Sequence, residues 1–397
     1  MKAGWIKKPL GEVCEFRRGL TYAKSDEVDS GGTAVLRAMN IDLDTGELDL
    51  NDIRYIASSV AVPQSKMVEP GTLLICTASG SKKHLGKTAL VDQPMEYAFG
   101  GFMGLLVPSR SILPKYLRWI MRSDAYWEFI DQLSSGTNIN NLKFSQLSAF
   151  RIPLPPLEEQ QRIVAVLDEA FEGLARARAH AEANLQNARE LFESVLDEVF
   201  SNSPTHWTRS ILGKTCTFIG GSQPPKSEFV YTPAEDLVRL IQIRDYKSDK
   251  NIVYIPRAAA RRFCEEDDVM IGRYGPPLFQ ILRGIKGAYN VALMKAVPKS
   301  DLMSKDFLFY FLQNRRIFQY INEASSRAAG QIGLNKATLE PYPISYPEGD
   351  EQREVVERLD AAKIYCDKTI EQYLTKLQDL DDLSQSLLQK AFAGELT

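Results

Sequence analysis

Apolar and polar positions change period along this chain twice, in the same order each time. Residues 1–110 carry short apolar runs punctuated by Gly and Pro. Among them, Ala34-Val35-Leu36-Arg37, Thr72-Leu73-Leu74-Ile75-Cys76 and Thr88-Ala89-Leu90-Val91 read as strands. From Pro114 to Leu133 the period lengthens. Tyr116, Leu117, Ile120, Trp127 and Ile130 recur at helical spacing, and Pro114 suits a first turn. Gly136 to Lys143 is polar and loop-like, and Arg151 to Leu157 (RIPLPPL) must be extended because Pro cannot continue a helix. A long amphipathic helix follows. The order then returns: strands at Val238 to Ile241 and Asp268 to Ile271, a helix from Ser304 to Ser325, a polar loop from Gly330 to Lys336, the extended Tyr342 to Pro347, and a second long helix.

The repetition is also literal. Glu159-Gln160, Val164, Leu167-Asp168, Leu185, Leu191, Ser194 and Phe200 reappear 192 residues later as Glu351-Gln352, Val356, Leu359-Asp360, Leu377, Leu383, Ser386 and Phe392. Trp5, Leu10-Gly11, Cys14 and Phe16 return 202 residues later as Trp207, Leu212-Gly213, Cys216 and Phe218. The chain is therefore two similar units in tandem.

The long helices carry a heptad-like stripe of Val164, Leu167, Phe171, Leu174, Leu185, Ala188, Phe192 and Val195. Its counterpart is Val356, Leu359, Ile370, Tyr373, Leu377, Leu380, Ser384 and Leu387. Such a seam must pack on another helix. Both stripes break at matched points, Arg178/Ala181 and Lys363/Cys366, which favours pairing of these two helices in an antiparallel coiled coil with the globular parts at opposite ends. At 1.5 Å per residue the repeat makes a rod of roughly 60 Å, longer than one turn of duplex DNA at roughly 34 Å. A coiled-coil dimer between chains stays open as the alternative.

Charge adds a division of labour. Residues 1–156 hold 18 Lys and Arg against 16 Asp and Glu, and residues 206–345 hold 20 against 13. The helical segments 157–205 and 346–397 hold 4 against 10 and 6 against 12. Neutral-to-basic globular parts suit a polyanion, and acidic helices suit protein contacts or simply a solvated surface. Cys14, Cys76, Cys216, Cys264 and Cys366 form no C-x-x-C pair, so a reduced cytoplasmic protein without a zinc site is expected. The longest apolar stretch, Tyr97 to Val107, is too short and glycine-rich to span a bilayer.

Catalytic motifs fail on inspection. Gly86-Lys87-Thr88 and Gly213-Lys214-Thr215 lack the first P-loop glycine, with Ser81 and Thr208 in its place. Gly275-Pro276-Pro277-Leu278 and Leu154-Pro155-Pro156-Leu157 lack the polar residue and aromatic ring that an amino-methyltransferase needs around a flipped base. His84, His180 and His206 share no metal-ligand spacing. What remains suits nucleic-acid contact. In the first unit the candidates are Arg17, Arg18, Tyr22 and Lys24, and the loop residues Thr77, Ser79, Lys82, Lys83, His84 and Lys87. In the second they are Ser222, Gln223, Lys226, Arg239, Gln242, Arg244, Arg273, Tyr274 and Gln280. Arg and Gln can grip base edges, whereas Lys, Ser and Thr more often anchor phosphates.

The tandem pattern, the run Pro153 to Gln160 with its echo at Asp350-Glu351-Gln352, the ending Lys390 to Leu396 and the stretch Val269 to Pro298 together resemble type I restriction–modification specificity subunits over essentially the whole chain. The resemblance implies an α/β (α+β) fold with target-recognition domains at 1–157 and 202–348, and spacer helices at 158–201 and 349–397. It implies that each recognition domain reads one half of a split, asymmetric duplex DNA target. It also implies two methylation subunits and, through them, motor-nuclease subunits. S-adenosylmethionine, ATP and magnesium would serve those partners, so this chain is expected to be non-catalytic and to need no cofactor. The competing expectation is a coiled-coil scaffold that never reads DNA, and a fused modification enzyme is disfavoured because the polar residue and aromatic ring of an amino-methyltransferase are missing.

Overall fold

A computed structural model describes residues 2, 4–43, 45–134, 141–275, 277–299, 302–327 and 333–396. Most of the expected polar loop at Gly136 to Lys143, the Gly330 to Ile332 part of its counterpart, and Pro276 lie outside the described residues. The chain divides into two compact units, residues 1–181 with 375–397, and residues 182–374.

The first unit opens with β1 (Ile6–Pro9), α1 (Leu10–Val13), β2 (Cys14–Arg18), β3 (Glu27–Val28), β4 (Thr33–Leu36) and β5 (Arg54–Ile56). It continues with β6 (Thr72–Cys76), β7 (Thr88–Val91), β8 (Tyr97–Phe99), β9 (Met103–Pro108), α2 (Pro114–Ile120), α3 (Asp124–Ser134), α4 (Phe144–Leu147) and β10 (Arg151–Leu154). The long helix α5 (Leu157–Ser201) leaves this unit for the second. The second copy runs β11 (Thr208–Ile211), α6 (Leu212–Thr215), β12 (Cys216–Gly220), β13 (Leu237–Ile241), β14 (Tyr254–Pro256), β15 (Phe263–Cys264) and β16 (Val269–Gly272). Then come β17 (Gln280–Leu282), β18 (Gly287–Tyr289), β19 (Leu293–Pro298), α7 (Lys305–Leu312), α8 (Arg315–Arg327), α9 (Lys336–Leu339), β20 (Pro343–Tyr346) and α10 (Gly349–Ala393).

Sheet order shows the duplication directly. One four-stranded sheet is β2-β9-β6-β7 in the first copy and β12-β19-β16-β17 in the second. The other shares three strands, β5-β4-β8 and β14-β13-β18, each with one parallel pair, β4 with β8 and β13 with β18; the fourth strand is added at opposite edges, β3 beside β5 and β15 beside β18. Two-stranded ribbons, β1 with β10 and β11 with β20, close each copy. The prolines of the RIPLPPL and YPISYP segments fit there because a ribbon strand can leave one edge unpaired.

Glycine at one position in each copy is dictated by close approach. A Cβ on Gly19 would lie 1.9 Å from the carbonyl oxygen of Gly100, and a Cβ on Gly221 1.9 Å from that of Asn290. No side chain fits at such distances, and the two glycines are 202 residues apart.

The expected helices Pro114 to Leu133 and Ser304 to Ser325 are each two helices. Ser123 interrupts the first: its backbone carbonyl receives the amides of Tyr126 and Trp127 while its hydroxyl donates to Ile120 O at 2.7 Å. Asn314 interrupts the second, its Oδ1 accepting from Arg316 N at 2.7 Å. Short polar side chains that bond nearby backbone stop one helix and start the next, a signal that apolar spacing does not carry.

The long helices pair within the chain, antiparallel in each unit. In the first, Ile163, Val164, Leu167 and Phe171 share a core with Leu387, Leu388, Ala391 and Phe392, and Arg178 meets Asp381 further along. In the second, Glu198 meets Arg358 at 3.3 Å and Phe192 lies under the Lys363 ammonium. Of the expected seam, Val164, Leu167, Leu185 and Leu359 are buried, and Phe171, Phe192, Val356, Ile370, Tyr373, Leu377, Leu380 and Leu387 are half-buried. The expected breaks are not gaps in burial. Ala181 is 1% exposed and Cys366 2% exposed, so the seam continues there on small side chains.

Candidate nucleic-acid interface

In each copy four loops are stitched into one ridge by backbone hydrogen bonds. In the first, Gly19 N donates to Met103 O at 3.1 Å and Leu20 N to Phe99 O at 2.7 Å, tying the turn after β2 to the β8–β9 turn. Thr77 N donates to Phe102 O at 3.0 Å, tying the β6–β7 loop to the same turn, and Leu142 N donates to Thr77 O at 2.7 Å. The second copy repeats every bond. Gly221 N donates to Leu293 O at 3.0 Å and Ser222 N to Tyr289 O at 3.2 Å. Arg273 N donates to Ala292 O at 2.9 Å, and Leu334 N to Arg273 O at 2.9 Å. The match makes Thr77 and Arg273 occupants of one position, and Lys24 and Lys226 of another, since each begins a short 3-10 turn just past its glycine.

The candidate residues separate on this frame. Lys24, Lys82, Lys83, Gln223, Lys226 and Arg244 are exposed, as are Arg18 and Tyr274. Ser79, His84, Ser222, Gln242 and Gln280 are half-buried beside them. Tyr22 is half-buried too, its hydroxyl pKa raised first by burial and then by Glu27. Arg18 places its guanidinium over the Phe144 ring at 5.6 Å.

Others are committed inside the fold. Lys87 is 5% exposed and donates its ammonium to Ile41 O at 2.6 Å; burial lowers its pKa. It is a buried strut rather than a member of the basic surface loop, because its carrier strand begins at Thr88 and its side chain falls on the covered face. The Thr77 hydroxyl is spent on Phe102 O at 2.9 Å. Arg17 pairs with Glu15 and Glu69, and Arg239 with Asp249 at 2.9 Å. The Arg273 guanidinium braces two loops, donating from Nε to Leu334 O at 2.9 Å and from Nη1 to Val291 O at 3.1 Å while covering the Tyr274 ring.

All five cysteines are free and buried, and burial pushes the thiols up, Cys14 to about 12 and Cys76, Cys216 and Cys264 to about 11. They are inert core side chains. Among the described residues no group of three or more His, Cys, Asp or Glu is placed to hold a metal ion, and no helix is long and apolar enough to cross a membrane.

Residues 2–180 and 250–379 match the family described as the type I restriction modification DNA specificity domain. The chain belongs to that family. Among its relatives is the StySPI specificity subunit of Salmonella potsdam, 27% identical over 418 residues that cover 99% of this chain and 89% of the relative. The EcoKI specificity subunit of Escherichia coli K12 is 27% identical over 428 residues, with the same coverage. A solved chain from work on complex assembly and conformational transition of the type I R-M system is 22% identical with a TM-score of 0.82, covering 100% of this chain and 99% of that one. The HsdS subunit of Thermoanaerobacter tengcongensis is 22% identical with a TM-score of 0.61, covering 100% and 98%. These structures share the fold of this type I specificity chain.

Residues that sequence reasoning left without a role now have one. Gln160 Oε1 accepts from Leu113 N at 2.9 Å while its Nε2 donates to Ser111 O at 3.0 Å and Pro155 O at 2.9 Å. Gln352 repeats the clamp on Ser304 N, Leu302 O and Pro347 O at 2.6, 3.3 and 3.0 Å. Each Gln fixes the angle at which a long helix leaves its globular part. Their signal was the repetition itself. Phe102, 73% exposed at the tip of the β8–β9 turn, and Arg37, just after β4, also join the ridge and had no such signal.

Proposed function

We propose that this chain is the non-catalytic DNA-specificity subunit of a type I restriction–modification complex, with recognition domains at 1–157 and 202–348 and spacer helices at 158–201 and 349–397. Each recognition domain reads one half of an asymmetric, split target. The carrying observation is a ridge hung twice from the same backbone hydrogen bonds but furnished with different side chains, Thr77, Ser79, Lys82 and Lys83 in one copy and Arg273, Tyr274 and Gln280 in the other. Equal frames with unequal side chains support two readers of one design and two different half-sites.

The helices set the spacer and dock two methylation subunits, through which motor-nuclease subunits join. Both helices span 45 residues and both are clamped at their first turn by Gln160 and Gln352, which supports a fixed spacing. Ile364 and Tyr365, exposed on α10, supply apolar surface for a protein partner. The methyl donor S-adenosylmethionine, and ATP with magnesium, belong to those partners. Methylome sequencing of cells with and without the gene tests the reading: a split adenine-methylated motif should vanish with the gene. Persistence of every such motif would leave the scaffold reading in its place.

A further inference from the structure

One pair of matched residues differs in a way the surrounding frame does not. Arg37 follows β4 and Gln242 follows β13, each in extended backbone, with φ −129° and ψ 177° for Arg37 and φ −125° and ψ 159° for Gln242. Each opens a short 3-10 turn and donates its amide to a buried side chain three residues on, Arg37 N to Asn40 Oδ1 at 2.9 Å and Gln242 N to Asp245 Oδ2 at 3.1 Å. The preceding carbonyls receive the ridge in both copies, Leu36 O from Gly100 N at 2.9 Å and Ile241 O from Asn290 N at 3.1 Å. Arg37 and Gln242 are thus the same place on two ridges, 205 residues apart, with backbone latched alike and side chains unlike.

Both side chains are also incompletely satisfied. Among the described residues, Arg37 Nε and Gln242 Nε2 are shielded from solvent and meet no acceptor, and the Arg37 Nη2 group meets the Met39 sulfur and, at 3.9 Å, Asp52. Shielded donors without acceptors cost free energy, and acceptors on a bound ligand would relieve that cost. Arg239, whose Nε is likewise shielded without an acceptor among the described residues, differs in that its Nη2 is held by Asp249 at 2.9 Å. Arginine forms paired hydrogen bonds with the O6 and N7 acceptors of guanine, and glutamine with the N6 and N7 groups of adenine.

We infer that residues 37 and 242 are one matched base-selecting position, at which Arg37 selects guanine in one half-site and Gln242 selects adenine in the other. The inference rests on the specificity reading above. Its test is selection from a randomised duplex pool by the full chain assembled with its methylation subunits, run for wild type, Arg37→Gln, Arg37→Lys and Gln242→Arg. Arg37→Gln should shift one guanine to adenine in one half-site with about a tenfold change in base preference, leaving the other half-site intact. Gln242→Arg should do the reverse in the other half. Arg37→Lys keeps charge without the fork, so it should blur that base while retaining binding, which separates base choice from loss of fold. A wild-type motif that all three variants reproduce overturns the inference alone. A wild-type complex that enriches no split motif overturns the specificity reading and the inference together.

Discussion

The loop between β6 and β7 runs from Thr77 to Lys87 and is rich in Lys and Ser; its equivalent between β16 and β17 runs from Arg273 to Phe279 and carries Gly, Pro and aromatics. Both hang from the same two backbone bonds. The comparison extends beneath them. Where the second copy buries Asp268 between Lys295 at 3.0 Å and Lys305 at 2.7 Å, the first has Thr72 and Leu105 at the matched positions of β6 and β9. One copy supports its hairpin with buried Leu105 and a Thr72 hydroxyl that donates to Glu69 O at 2.6 Å, and the other with a buried ion cluster. The frame is held by backbone geometry, which tolerates either solution, so the side chains below and above it are free to diverge.

Four measurements would break or sharpen that comparison. The largest effect is expected from Gly19→Ala or Gly221→Ala. Either places a Cβ against a neighbouring carbonyl, so each should destabilise its own unit by about 3 kcal/mol or more in denaturant melts, and equal sensitivity in the two copies is the point at issue. Tolerance of either change would dissolve the shared frame.

Next, Asp268→Asn should cost about 2–3 kcal/mol in the second unit, the lower part of the range because Lys305 is partly exposed. Burial works to raise the Asp268 pKa, but hydrogen bonds from Lys305, the Glu265 amide and Lys295 outweigh it and the net shift is downward. A carboxylate held below its unfolded value stabilises the fold above that value and loses the contribution as pH falls through the folded one. Acid below about pH 4 should therefore weaken the second unit through this site, and the Asn variant should flatten that dependence. An unchanged acid limb in the variant would remove Asp268 as its origin.

Arg273→Ala comes third. Loss of the brace to Leu334 and Val291 should weaken recognition of one half-site about tenfold and leave the other alone; in footprints on full-length targets, equal loss at both halves would count against two independent ridges. Smallest is Lys82→Ala with Lys83→Ala. These exposed side chains suit phosphates, so affinity should fall evenly across sequences and the salt slope should drop by about one per lysine. A change in base preference would move them into the reading set.

The frame was legible because its anchors recur at constant offsets. Gly19 and Gly221 keep the 202-residue displacement of Trp5 and Trp207, and Gln160 and Gln352 keep the 192-residue displacement of the helices. Between those anchors the offset drifts to 205 at Arg37 and Gln242 and to 196 at Thr77 and Arg273, so no constant shift reveals those pairs. Insertions in the loops erase register while the hydrogen bonds preserve it. Lys87 misled for another reason: charge in a loop reads as surface, and only the tertiary approach of Ile41 shows that the ammonium is covered.

The first compact unit is built from both ends of the chain, residues 1–181 with 375–397, and Leu388 and Ala391 complete the core that begins at Trp5 and Leu10. During synthesis that core cannot close when residue 181 leaves the ribosome. It waits, with its apolar face open, until the final helical turns emerge, by which time every residue of the second unit has been made. The half of the protein translated first is therefore the half completed last, and a shortened C-terminus should expose the N-terminal half to chaperones and proteases before it harms the other.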